Sequence, residues 1–305
     1  MTRLSDPLAL TRGPALKNRF MLAPLTNSQS HADGVLSDEE FRWLTMRAEG
    51  GFGLTMTCAT SVNALGLGFP GQLGAHDDRH LPGLTRLAAA LNAHDTHSVV
   101  QLHHAGMRSP EDLIGQKPLC PSDNAETGAR AMTLTEVEGV IADFIAAAKR
   151  CERAGFHGVE LHGAHGYLIC QFLSPEINQR TDRFGGSLEN RARMLFDIVA
   201  GVRAACGANF SLGVRLSPER FGLKLAEIRE VAQRLMREGA IDYLDMSLWD
   251  VFKQPVEPEH QERNLLSWFT DLDRGGVRLG AAGKLTTAVD CARAIESGLD
   301  YVVIG

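Results

Sequence analysis

An alternation along the chain constrains its fold more than any other feature. Eight short apolar runs, FMLAPL (20–25), GLTMTCAT (53–60), SVVQL (98–102), GVEL (158–161), FSLGVRL (210–216), YLDM (243–246), VRLGA (277–281) and YVVIG (301–305), are separated by longer amphipathic stretches. Continuous apolar runs of this length read as strands buried on both faces. Between them, helical spacing recurs at 38–49, 84–94, 135–154, 188–205, 225–238 and 286–297. In the third stretch Val140, Phe144, Ala147, Ala148 and Cys151 form a stripe that a helix would lay against a sheet. Strand and helix in repeated alternation predict an α/β fold, a parallel TIM (β/α)8 barrel. Residues 2–18 are expected to cap its bottom, and 103–134 and 247–275 to form long functional loops.

One domain, 1–305, accounts for the chain. At 305 residues, 44% hydrophobic and 22% charged, it can bury a large core. A net charge of −6 and a pI near 6.0 give no electrostatic footprint for nucleic acid, and no basic amphipathic segment suggests a membrane surface. MTRLSDPLAL has no charged region followed by a long apolar one, and no run reaches transmembrane length, so a cytoplasmic location is expected. Six scattered cysteines form no CxxC pair and are expected to stay reduced, with Cys58 and Cys170 as small buried apolar residues.

The residues able to do chemistry gather after the fourth run. In HGAHGYL (162–168), His162, His165 and Tyr167 fall at or just beyond the strand end, where barrels carry their active sites. Two imidazoles three residues apart can converge on one oxygen. A phenol with a pKa near 10 is a poor base and a usable acid. Together they suggest a carbonyl oxygen held by N–H donors that stabilise an enolate, with a hydroxyl ready to protonate the adjacent carbon. By itself HxxH reads as a polar turn or half of a metal site.

HGAHGYL, followed in order by FLSP (172–175), Asn178, RTDRFGGS (180–187) and ENR (189–191), resembles the signature of the Old Yellow Enzyme family, the FMN-dependent ene reductases and NADH:flavin oxidoreductases. The resemblance continues at LKNRFMLAPLTNS (16–28), VVQLHHAG (99–106), GVRLSPE (213–219), AAGKLTT (281–287) and DYVVIG (300–305), and so spans nearly the whole chain.

The resemblance implies an enzyme that passes hydride from NADH or NADPH to FMN and from FMN to an activated alkene such as an α,β-unsaturated carbonyl compound. His162 and His165 would hold the carbonyl or nitro oxygen, and Tyr167 would protonate the α-carbon. Contacts to FMN are implied for Ala23, Pro24 and Thr26 after the first strand, Ala59 after the second, and Gln101 at the pyrimidine edge. His162 joins them, Arg215 would place a cation near flavin N1 and the C2 oxygen, and Ala282, Gly283, Lys284 and Gly305 would meet the phosphate. The nicotinamide binds transiently, so no Rossmann fingerprint is expected. Many relatives are dimers or tetramers, which admits a homo-oligomer.

Some positions depart from the family pattern. Met107 interrupts the HAGR step, and Ser28 stands where some relatives carry an aromatic residue. The pattern stops at Gly305, so a barrel without its last helix and tail is expected, C-terminally incomplete relative to the family. The arginine that would follow Gly305 is absent, a phosphate contact worth about 1.5–3 kcal/mol. Alternatives are the barrel portion of a dienoyl-CoA reductase-like FMN/iron–sulfur enzyme, a flavin-binding protein without turnover, and a metal-dependent hydrolase using His103, His104, His162 and His165. In RTDRFGGSLENR, Arg180, Asp182, Arg183 and Glu189 are expected to brace a loop by ion pairs, and Gly185 and Gly186 to permit its turn.

Overall fold

The computed structural model describes residues 2–305. Eight parallel strands close into a barrel: β1 (Phe20–Leu22), β2 (Leu54–Ser61), β3 (His97–His103), β4 (Gly158–Gly163), β5 (Ser211–Leu216), β6 (Tyr243–Ser247), β7 (Arg278–Ala282) and β8 (Tyr301–Ile304). The ring is completed by β8 against β1, with Phe20 opposite Val302 and Leu22 opposite Ile304. β1 is shorter than its apolar run. Ala23 still donates to Ile304 O at 2.7 Å, but Pro24 has no N–H to continue the ladder. β4 is longer than expected and takes in His162 and Gly163.

Among the described residues six long helices cover the barrel: α1 (Asp38–Glu49), α2 (Leu81–Asn92), α3 (Leu134–Arg153), α4 (Leu188–Ala205), α5 (Leu225–Glu238) and α6 (Ala288–Glu296). Ser37 and Ser187 cap α1 and α4, Thr133 and Glu136 form a capping box on α3, and left-handed Gly239 (φ 61) ends α5. The stripe from Val140 to Cys151 is buried. α2 begins three residues before its expected start, at Leu81, because Pro82 fits a first helical turn and no capping side chain marks the entry. The loop expected at 247–275 carries a single-turn helix, Ser267–Thr270, and that at 103–134 carries a two-residue parallel ladder between Leu119–Cys120 and Arg130–Ala131. Among the described residues no helix is long and apolar enough to cross a membrane.

Alternate strand residues face the barrel interior. At its lower end Met21, Leu54, Met56, Val99, Tyr243 and Tyr301 pack with Leu8 and Leu16, which an antiparallel bridge in the N-terminal segment holds together as the expected cap. Glycines make room for the tyrosines. A Cβ on Gly213 would stand 2.1 Å from Tyr243 Cζ, and one on Gly280 1.9 Å from Tyr301 Cε2. Two positions further along β3, β5 and β6 the interior turns polar, at Gln101, Arg215 and Asp245, and this change sets the level of the site.

The segment after β4 differs in part from expectation. Arg180 pairs with Asp182, but Arg183 reaches Glu138 on α3, and exposed Glu189 has no ion pair among the described residues. Arg191 instead pairs with Glu227 on α5 at 2.8 Å and donates to Leu173 O, tying the segment to two helices. Gly186 has the left-handed φ of a turn, 81°, whereas Gly185 is required by closeness: a Cβ there would lie 2.1 Å from Arg180 O. Cys170 is buried as expected, but Cys58 is more than a small apolar residue, since its thiol donates to buried Glu40 at 3.0 Å. Glu40 also accepts from Asn27 and Ser30, so this carboxylate anchors the loop that follows β1.

Candidate active site

The strand ends surround a cavity of about 530 Å³ lined by His165, Tyr167, Arg215, Ala282 and Gly283, with Arg108, Arg220, Phe221, Ser247 and Trp249. His162 lies just behind His165, 4% exposed, with its Nε2 3.2 Å from His165 Nδ1. Tyr167 packs edge-on against His162 and His103, ring centroids 5.0 and 4.3 Å apart, beneath the Arg108 guanidinium at 4.8 Å. These residues come from the ends of β3, β4 and β5 and from the loops after β6 and β7.

Backbone donors set the imidazole tautomers. The Ala164 N–H donates to His162 Nδ1 at 3.3 Å, which puts the His162 proton on Nε2. That N–H faces His165 Nδ1, so His165 carries its own proton on Nε2, free to donate into the cavity it lines. His165 holds a left-handed φ of 59°, kept by its N–H donating to Ser217 Oγ at 2.9 Å and by Arg108 Nη1 donating to its carbonyl at 2.5 Å. Gln72 fixes His103 in the same manner: its Oε1 accepts from the Gly68 N–H, so its Nε2 faces Ala59 O and His103 Nδ1. His104, whose Nδ1 accepts from the Gly106 N–H, has its ring buried beside the site.

All four imidazoles are neutral at physiological pH. Burial drives His162 well below its ordinary range, helped by His165, His103 and Arg215. Burial and the cations Arg215 and Arg108 bring His165 to about 3, and burial brings His103 to about 3 and His104 to about 4. Of these cations Arg215 is the one that bears on both rings of the pair. It is held by its Nε, which donates to Ser247 Oγ at 2.6 Å and lies 3.1 Å from Asp245 Oδ2.

Beneath Arg215 two carboxyl groups are fully buried. Glu160 accepts from Gln101 Nε2 at 2.8 Å, while Glu160 Oε2, both Asp245 oxygens and Gln101 Oε1 have no hydrogen-bond partner among the described residues. Burial first, then the charge of Asp245, pushes the Glu160 carboxyl up to about 8, against the pull of Arg215. Burial raises Asp245 as well.

The folded chain thus keeps a proton on Glu160 that the unfolded chain releases near 4.5. The resulting stabilisation is complete below that value and is lost as pH rises through about 8, with a slope of up to about 1.4 kcal/mol per pH unit. Glu160→Gln is expected to flatten the fall in melting temperature between about pH 5 and about pH 8. A variant whose curve runs parallel to the parent's over this interval would disprove the assignment.

The residues expected to meet FMN fit it unevenly. Gln101 Oε1 is an unpartnered buried acceptor, suited to a ring N–H, and Arg215 lines the cavity as an anchored cation. Ala59, 6% exposed, stands opposite Gln101 in the ladder, a small residue beside a flat ring. Ala23 and Pro24 are half-buried and Thr26 is exposed on the loop that Glu40 anchors. Gly283 (φ 151) could not carry a Cβ, which would come within 2.8 Å of Asp250 N. Gly305 follows β8 beside Leu25, where a Cβ would meet Leu25 Cδ1 at 2.8 Å. The Lys284 side chain is 73% exposed and turns to Asp250 at 3.3 Å, away from the cavity lining.

His103, His104, His162 and His165 do not bring three ligand atoms around one point. Among the described residues the group that does is Glu257, Glu259 and His260, in the loop after β6. Sequence reasoning missed Arg108, Arg220, Phe221, Ser247 and Trp249. Arg108 had a signal, an arginine one step beyond the Met107 that interrupts HAGR. The others had none locally.

Residues 3–265 match the NADH:flavin oxidoreductase / NADH oxidase family. The chain is 37% identical over 313 residues to a probable NADH-dependent flavin oxidoreductase of Bacillus subtilis (strain 168), covering 99% of this chain and 84% of the relative. It is 32% identical to the NADH:fumarate oxidoreductase of Klebsiella pneumoniae (strain 342), spanning 99% of this chain but only 34% of that longer protein. Among solved structures it superposes on an old yellow enzyme homologue from Zymomonas mobilis with a TM-score of 0.86 at 28% identity, covering 100% of this chain and 88% of that one. Morphinone reductase in complex with tetrahydroNAD gives 0.85 at 29%, covering 100% and 87%. Sequence and structural matches both run through the strands that carry the histidines, the tyrosine and Arg215, and on that ground the chain belongs to the NADH:flavin oxidoreductase / NADH oxidase family, the Old Yellow Enzyme family, as an FMN-binding oxidoreductase that takes hydride from NAD(P)H.

Proposed function

We propose that this chain is an ene reductase, reducing the C=C bond of α,β-unsaturated carbonyl compounds and related activated alkenes. The observation that carries the reading is the tautomer chain from Ala164 through His162 to His165, which leaves a neutral N–H donor at the cavity wall with a tyrosine beside it. Bound FMN supplies hydride transfer between NAD(P)H and the alkene.

The chain's own residues do the rest. Gln101 and Arg215 would hold the pyrimidine edge of the cofactor, and Ala59 leaves space for its ring. Ala23, Pro24 and Thr26 would border it on the first loop, and the backbone at Ala282, Gly283 and Gly305 would receive the phosphate, while the Lys284 ammonium is turned to Asp250. His165 donates Nε2–H to the substrate oxygen, and His162 joins it when the 3.2 Å contact between the two rings opens. Neutral donors aimed at an oxygen that gains negative charge favour the transition state over the bound alkene. The β-carbon accepts hydride, and the Tyr167 hydroxyl delivers a proton to the α-carbon.

Reduction of cyclohexenone with NADH deuterated at the nicotinamide C4, in ordinary water, tests this reading. One deuterium is expected at the product β-carbon and a solvent-derived hydrogen at the α-carbon. Flavin that bleaches with NADH and never passes the label to the alkene would contradict it.

A further inference from the structure

The cavity wall is strongly cationic for a chain whose net charge is −6. Three guanidinium groups, Arg108, Arg215 and Arg220, line it together, with no carboxylate among the described residues of the lining. Arg215 is bound to Ser247 and Asp245, but neither Arg108 nor Arg220 has an ion pair among the described residues. Carboxylates were available. Glu219, next to Arg220 in the chain, is buried and turned to Lys253 and to the Val256 N–H. Asp250, next to Trp249, is turned to Lys284 and to the Phe252 N–H.

Both of these guanidinium groups are held over aromatic rings, Arg108 over Tyr167 at 4.8 Å and Arg220 over Trp249 at 4.7 Å. Such stacking fixes the planar fork. Arg108 spends Nη1 on the His165 carbonyl and keeps its other N–H groups for a ligand, while the Arg220 guanidinium makes no hydrogen bond among the described residues. The backbone that presents them is unusual: Arg220, Phe221 and Trp249 all adopt left-handed φ, 65°, 54° and 63°, a cost that surrounding structure must sustain. Unpaired, oriented arginines beside a neutral donor pair match a ligand with a carboxylate in addition to its carbonyl oxygen.

We propose that Arg108 and Arg220 select activated alkenes that carry a second, anionic group, a carboxylate a few bonds from the carbonyl held by His162 and His165. This rests on the ene-reductase reading. The carbonyl sits at the histidines, Tyr167 lies beneath Arg108, and a carboxylate two methylene groups away extends toward the two guanidinium groups at the rim.

The test uses the FMN-loaded enzyme and two matched pairs of probes. The first is a crotonyl ketone whose carboxylate lies two methylene groups from the carbonyl, compared with its methyl ester. The second is the unreactive pair levulinate and methyl levulinate, whose binding is read from the perturbation of flavin absorbance. A carboxylate-to-ester ratio of about tenfold or more is expected in kcat/KM and in affinity, falling toward one in Arg220→Gln and in Arg108→Gln.

Ratios near one in the unsubstituted enzyme overturn the inference while leaving the ene-reductase reading intact if both ketones are reduced. A ratio that survives both substitutions while Arg220→Gln weakens saturation by NADH also overturns it, assigning the arginines to the dinucleotide phosphates. If neither ketone is reduced but levulinate still binds more tightly than its ester through Arg220, the anion site stands and the ene-reductase reading falls.

Discussion

Tyr167→Phe slows reoxidation of the reduced enzyme by cyclohexenone by about 10²-fold or more, the range expected for loss of a general acid, while the preceding reduction by NAD(P)H keeps its rate. The substitution isolates the hydroxyl. The ring packs against His103 at 4.3 Å and lies under Arg108 at 4.8 Å, contacts that phenylalanine preserves. Only the second half-reaction places a proton on carbon, so only that half should suffer. Stopped-flow absorbance resolves the two steps, and equal slowing of both would remove Tyr167 from the role of proton donor.

Arg215→Ala is expected to cost more, in stability and in cofactor retention together. Arg215 is 6% exposed and is the cation nearest two fully buried carboxyl groups, neither of which has its oxygens fully paired. Removing one member of a buried charge pair typically costs about 3–5 kcal/mol because the remaining charge is left in a poorly solvating interior. The same change removes the positive charge at the cavity wall, and FMN is expected to be lost on gel filtration. The stability deficit should shrink as pH is lowered, since protonating Asp245 and Glu160 neutralises what Arg215 had balanced. A variant that melts with the parent at about pH 8 and keeps its flavin would refute this account of the buried cluster.

The barrel was legible because each strand is a nearly unbroken apolar run, a pattern that survives without tertiary information. The limits of α1, α4 and α5 agreed with expectation to the residue, and local signals mark them at Ser37, Ser187 and Gly239. α2 offered only Pro82, and its start was misplaced. His162, His165 and Tyr167 could be found together because six residues of chain hold them all.

What escaped the sequence depends on separate loops meeting. Arg108, Arg220 and Trp249 follow β3, β5 and β6, and the last two are aimed by left-handed backbone at residues that carry no glycine signal. The Lys284 side chain turns to Asp250, a partner far upstream that composition does not reveal. The histidine tautomers likewise depend on the Ala164 N–H and on the Gln72 amide, contacts that appear only when the turn after β4 and the loop after β2 are folded.

The most direct test of the central claim is the visible absorbance of the purified chain after loading with FMN and removal of unbound cofactor, followed through NAD(P)H and then cyclohexenone under anaerobic conditions. The account predicts retained oxidised-flavin bands that bleach with NAD(P)H and return with cyclohexenone as the ketone is consumed. A folded chain that retains no flavin, or one whose bleached flavin stays reduced in excess cyclohexenone, would contradict it.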